Sequence, residues 1–173
     1  KRKPIIINAA RGEIVSTDAL LTAIEKDKIN SLVLDCWEDE PHVQPLLLEY
    51  CALATPHIAG YSADGKANAS RMSLESIADF YNLDKAPALE IKAPEPESAV
   101  IDLSVYESSD NRIYDTILET YDPLGDFERL KAAPDTFKRL RNEYPLRREY
   151  FAYRVVNSPA EDMDILKKLG FLL

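Results

Sequence analysis

The sequence predicts an α/β protein: part of a parallel sheet interleaved with helices, then a small α+β unit. Three observations predict it. Short apolar runs at Ile5–Asn8, Leu32–Leu34 and Ala52–Ala54 each end at a polar residue, and no hairpin turn joins them. Residues 85–97 then bring Pro87, Pro94 and Pro96 with almost no helical pattern, which reads as a stiff linker. Beyond the linker the pattern becomes mixed, with alternating and helical stretches in turn.

The first apolar run, Ile5-Ile6-Ile7, reads as a buried strand. It follows Lys1-Arg2-Lys3-Pro4 directly, so the chain is expected to be a fragment of a longer protein. Ser16 can cap a helix whose apolar face uses Leu20, Leu21 and Ile24. Leu32-Val33-Leu34 reads as a second buried strand ending at Asp35, and Ala52-Leu53-Ala54 as a third ending at Thr55. A long helix over 63–81 places Leu74, Ile77, Ala78 and Tyr81 at helical spacing. These elements form the first domain, residues 1–84.

Residues 98–173 form the second. Ile101, Leu103 and Val105 alternate with Asp102 and Ser104, as in a strand with one wet face. Ile113, Ile117 and Tyr121 share a helical stripe. Pro134 fits the first turn of a helix that turns Phe137, Leu140 and Tyr144 inward. Residues 150–156 read as a strand. Ser158, Pro159 and Glu161 announce a final helix with a capping box, which Gly170 ends. A unit of this size is near the lower limit for independent stability, and pairing with a second copy would bury its aromatic residues.

The composition narrows the function classes. Hydrophobic residues are 46% and charged residues 29% of the 173, ordinary for a soluble globular protein. No apolar run is long enough to span a bilayer, so no membrane association is expected. A net charge of −9 disfavours a nucleic acid partner. Two cysteines, Cys36 and Cys51, are too few for a disulfide framework and suggest a reducing, cytoplasmic setting. With His42 and His57 they match no zinc spacing, so no metal is expected.

Ligands of open α/β sheets bind beyond the carboxyl ends of the strands. Here those ends deliver Asn8-Ala9-Ala10-Arg11-Gly12, Asp35-Cys36-Trp37-Glu38-Asp39-Glu40-Pro41, and Thr55-Pro56-His57-Ile58-Ala59-Gly60-Tyr61. A guanidinium, a carboxylate and an imidazole would meet at one rim. Imidazole carries protons near neutral pH, and a carboxylate on its other nitrogen would fix its tautomer. Arg offers a fork for a substrate carboxylate. The set suits proton removal from a 2-hydroxy acid. Without further context each residue has a plainer reading. Arg11 could be a loop arginine paired to an acid, Glu40 a solvated carboxylate, and His57 a structural histidine.

In order and spacing these three segments, with Asp18-Ala19-Leu20 after the first, resemble the C-terminal signatures of D-isomer-specific 2-hydroxyacid dehydrogenases. Residues 57–66 narrow the resemblance to the branch acting on 4-phospho-D-erythronate. So do residues 137–149 and Lys168-Leu169-Gly170-Phe171, which resemble that branch's dimerisation domain. The resemblance implies that residues 1–84 are the C-terminal portion of a Rossmann-like NAD-binding domain, and that 98–173 pair into a homodimer. It implies catalytic roles for Arg11, Glu40 and His57: Arg11 binds the substrate carboxylate, Glu40 orients His57 and favours its protonated form, and His57 transfers the proton. It further implies that Ala9, Ala10, Arg11, Asp35 and Gly60 line NAD and that Tyr61 contacts substrate. The implied reaction is oxidation of 4-phospho-D-erythronate to its 2-oxo acid, on the route to pyridoxine 5'-phosphate. Another D-2-hydroxyacid, such as 3-phosphoglycerate, and a purely dimerising role are the alternatives.

Two departures stand out. Ser16 replaces an Asp or Asn common in the family and still caps a helix. The five glycines, Gly12, Gly60, Gly65, Gly125 and Gly170, form no Gly-x-Gly-x-x-Gly. Without that pyrophosphate loop, the chain alone is expected not to bind NAD tightly.

Overall fold

Three four-residue strands, β1 (Ile5–Asn8), β2 (Ser31–Leu34) and β3 (Cys51–Ala54), pair in parallel in that order. A computed structural model provides this architecture and describes residues 2–83, 93–106, 109–145 and 147–173. Within them the chain divides into two compact units.

The first unit combines Lys1–Gly60 with Asp122–Pro145. Helix α1 (Thr17–Glu25) connects β1 to β2, and its cap is the one expected: the Ser16 hydroxyl accepts from the Ala19 amide. A short helix α2 (Pro45–Glu49), not read from the sequence, precedes β3. Leu20, Leu32, Leu34, Leu47 and Leu48 make the centre of the core. Register then fixes the rim. Asn8 lies opposite Leu34, and Leu34 opposite Ala54, so the three strands end together and their polar successors leave the same edge.

Within this chain β1 is only partly covered. Ile6 packs against the core, but Ile5 and Ile7 are exposed, Ile7 by 68%. Among the described residues β1 pairs only with β2.

Beyond the linker, part of the chain packs with the first unit. Helix α5 (Pro123–Ala132), unread in the sequence, and α6 (Phe137–Asn142) return to the first unit. Phe127, Leu130 and Phe137 are buried in the same core as β2 and β3, and Leu140 packs against it. Pro134 does open the turn before α6, as a 3-10 turn over Pro134–Thr136. The physical reason is burial: three large apolar side chains find a core there that their own charged neighbourhood cannot provide.

The second unit combines Tyr61–Tyr121 with Leu146–Leu173. Its long helix α3 (Ala63–Tyr81) has the predicted bounds and starts at Ser62, whose hydroxyl accepts from the Gly65 amide. The stripe of Leu74, Ile77 and Tyr81 forms but stands exposed. Two short strands, β4 (Val100–Asp102) and β5 (Arg154–Val156), pair in parallel. Helices α4 (Arg112–Thr120) and α7 (Ala160–Leu169) flank a core of Ile101, Leu103, Tyr153, Val155, Leu166 and Phe171.

The predicted strand over 101–105 stops early, because the Asp102 carboxylate accepts from the Ser104 amide and the chain turns into a 3-10 segment. Residues 150–152 likewise form a 3-10 turn before β5. The capping box at Ser158 does not form. Its hydroxyl donates to the Pro159 carbonyl and caps no amide of α7. Gly170 ends that helix as expected, with a left-handed φ of 102°. Residues 85–92 of the expected linker lie outside the described residues.

Candidate active site

The segment after β1 is shaped by its own asparagine. The buried Asn8 accepts from the Ala10 amide and donates to the Arg11 carbonyl, folding residues 8–11 into a tight loop. Ala9, Ala10 and Arg11 are thereby exposed at the rim. Gly12 is the opposite case. A Cβ there would lie 2.1 Å from the Trp37 carbonyl oxygen, so only glycine lets the two rim segments touch.

The segment after β2 folds back on itself. Glu40 Oε1 accepts from the Trp37 amide at 2.9 Å, which turns its other oxygen outward. Oε2 meets His57 Nδ1 at 2.7 Å, with the two side chains 23% and 22% exposed. Nδ1 is committed to the carboxylate, which leaves Nε2 as the ring atom available to a ligand.

His57 sits on a backbone that few residues adopt. Its φ is 57°, in the left-handed region. Bonds on both sides hold it there. The Asp35 carboxylate, 5% exposed, accepts from the Thr55 hydroxyl, the Ile58 amide and the Ala59 amide at 2.7, 2.6 and 3.1 Å. The Trp37 indole donates to the Thr55 carbonyl, and Arg141 Nε of α6 donates to the His57 carbonyl at 3.2 Å. A buried anion saturated by amide and hydroxyl donors is a rigid anchor. Asp35 is thus seen to support the loop that presents His57.

Charge converges on Cys36. Burial pushes its thiol up to about 11, and the Asp35 and Glu40 carboxylates add to that while the Arg11 guanidinium opposes it. Arg11, Glu40 and His57 therefore do share one rim. Gly60 lies there too, exposed, with open space where a Cβ would stand. Tyr61 opens the second unit, its ring under the Lys66 ammonium at 4.0 Å. Three arginines of residues 141–148 take separate partners: Arg141 holds the His57 loop, Arg147 stacks on Tyr121, and Arg148 pairs with Asp64.

Sequence reasoning missed Arg141, Thr55 and Trp37 as partners of the site. Arg141 contacts a residue 84 positions away, a distance at which no local pattern signals contact. Asp35 is 20 residues from Thr55, so its bond to that hydroxyl has no local signal either.

Comparison with known proteins finds relatives for both parts of the chain. Residues 1–59 match the NAD binding domain of D-isomer specific 2-hydroxyacid dehydrogenases, and residues 93–170 match a domain of unknown function, DUF3410. The chain is 42% identical to the erythronate-4-phosphate dehydrogenase of Porphyromonas gingivalis over 99% of its own length and 46% of that protein's. It is 47% identical to that of Bacteroides thetaiotaomicron, over 90% of this chain and 42% of the relative. The Yersinia enterocolitica enzyme is 36% identical over 96% of this chain and 45% of its own. The chain thus spans about half the length of the curated relatives it matches. Over nearly all of its own length it is similar to erythronate-4-phosphate dehydrogenases, and its first 59 residues match the NAD binding domain of the D-isomer specific 2-hydroxyacid dehydrogenases.

Proposed function

We propose that this chain supplies the proton-transfer machinery for NAD-dependent oxidation of 4-phospho-D-erythronate to its 2-oxo acid. The observation that carries the reading is the His57–Glu40 pair, held at the carboxyl rim of a parallel sheet. Glu40 fixes the imidazole through Nδ1, and Nε2 takes the proton of the substrate C2 hydroxyl. Arg11, exposed at the same rim, binds the substrate carboxylate and polarises the C2 oxygen. NAD, when bound, supplies the hydride acceptor. Ala9, Ala10, Arg11, Asp35 and Gly60 line its nicotinamide end, and Tyr61 contacts substrate.

The fit of these residues to the nicotinamide end is good, since Gly60 leaves its surroundings clear. A pyrophosphate loop is not among these 173 residues. The remaining half of a protein of the relatives' length would provide it. Such a protein would act in the cytoplasm on the route to pyridoxine 5'-phosphate, as a homodimer joined through residues 98–173.

The test uses a protein of the relatives' length that includes this chain. His57→Gln is expected to lower hydride transfer from 4-phospho-D-erythronate to NAD by ~10²–10⁴-fold, the usual weight of a general base. Glu40→Gln should lower it less and displace the pH profile. An unchanged rate in His57→Gln, or turnover of another 2-hydroxy acid in place of 4-phosphoerythronate, overturns the reading. Titration calorimetry on the chain alone should show no micromolar NAD binding.

A further inference from the structure

The same rim places a third donor beside the proton-transfer pair. Cys36 Sγ, a Glu40 carboxylate oxygen and a His57 ring nitrogen all lie within 4.8 Å of one another. The spacing of cysteines and histidines along the chain gives no sign of this, because the cluster is assembled by folding from residues 36, 40 and 57. We propose that Cys36, Glu40 and His57 form a three-donor site for a thiophilic divalent cation, zinc above all, and that a bound ion blocks proton transfer.

Three features carry the proposal. The donors are sulfur, nitrogen and oxygen, the mixed set that zinc accepts with a fourth position left open. Zinc bonds of ~2.0–2.3 Å separate any two tetrahedral donors by roughly 3.3–3.8 Å. The cluster is therefore of the right size, and shifts of about an ångström or less bring its atoms to that spacing. The site is also partly built in advance. The turn that brings Glu40 back toward Cys36 is closed by the Trp37 amide, and the His57 loop is fixed by Asp35.

The surrounding charge favours a cation. The Asp35 carboxylate lies beside the site, its Oδ2 3.8 Å from Cys36 Sγ. Access is one-sided: the thiol is buried, while the Glu40 and His57 side chains are about a fifth exposed. On binding, the S–H bond breaks and its proton leaves to solvent as the sulfur–metal bond forms, and the His57–Glu40 hydrogen bond opens as both groups turn to the ion, which removes the support for proton transfer. Affinity therefore rises with pH. The blockade rests on the role proposed for His57, whereas the binding itself does not.

The test is a titration of this chain with cobalt(II), followed by zinc competition against a chromophoric chelator. One equivalent of cobalt should bring up a thiolate-to-metal charge-transfer band. Cys36→Ser should abolish the band, and Cys36→Ser and His57→Gln should each weaken zinc by at least about tenfold, since even outer-shell changes cost that much. Should Cys36→Ser fail to fold, His57→Gln decides alone, because its imidazole is partly exposed. Absence of the band overturns the site, as does a band surviving in Cys36→Ser, which would come from Cys51. Zinc affinity unchanged in His57→Gln does the same. Loss of hydride transfer in His57→Gln tests the catalytic role separately, so the two proposals fail independently.

Discussion

Each unit holds an acid against a base, and the two pairs are built differently. In the first, Glu40 and His57 meet with 23% and 22% of their side chains exposed. The more deeply buried acid beside them, Asp35, is satisfied by neutral donors. In the second, Arg148 and Asp64 meet at 2.9 Å with 9% and 12% exposed. Arg148 also donates to the Pro94 carbonyl, and Asp64 accepts from the Glu149 amide. The second pair thus ties the start of α3 to residues 94 and 148–149 and leaves little for a ligand. The first leaves a ring nitrogen open. Burial with full satisfaction produces a staple, and partial exposure on a stapled loop produces a reactive group.

The largest effect expected from breaking this contrast is at Arg148. Arg148→Met strands a buried carboxylate, and such losses cost about 3–5 kcal/mol. Glu40→Gln removes a charge from a partly exposed pair and should cost under about 1 kcal/mol. Urea unfolding followed by hydrogen exchange at Val155 for the second unit and Leu34 for the first reads the two costs separately. Equal costs would mean that the rim pair is a staple too.

Gly12→Ala sharpens the comparison from the other side. The added methyl would fall on the Trp37 backbone, which must move because no flexible side chain can yield. Overpacking of this kind costs about 1–3 kcal/mol. The shift should reach Glu40 through its bond from the Trp37 amide. We therefore expect weaker protection of the Trp37 amide in hydrogen exchange, with that of Val155 unchanged.

The legibility of the sequence follows the same line between local and distant causes. β1, β2, β3 and α3 were readable because each is an apolar run or stripe with its own boundaries, and Ser16 caps the amide three residues on. The trio at the rim was readable because parallel strands must deliver their ends to one edge. Where distant partners decide, the reading fell short. α5 contributes only Phe127 and Leu130 to the core, in a charged stretch whose pattern does not name the unit it joins. Asp35, Thr55 and Arg141 hold His57 from 22, 2 and 84 residues away, and only the folded chain brings them together. Local competition mattered as well: Asp102 caps its own strand end, and Ser158 bonds to the next carbonyl instead of a helix amide.

The smallest expected effect is a pH dependence confined to the second unit. Burial pushes the Asp64 carboxyl up, but the Arg148 hydrogen bond, the Glu149 amide and the Arg148 charge outweigh it and hold the group below the ordinary carboxylate range. Its folded pKa is thus depressed. The stability it contributes is complete above the ordinary carboxyl value and is lost as pH falls through the folded value. Asp64→Asn removes that contribution at every pH. The gap between wild type and Asp64→Asn, read by exchange at Ile101 and Val155, should therefore be widest near neutrality and close as pH falls below ~4. A gap that stays constant into acid would show that Asp64 acts through packing and hydrogen bonding alone, and the pair would lose its electrostatic account.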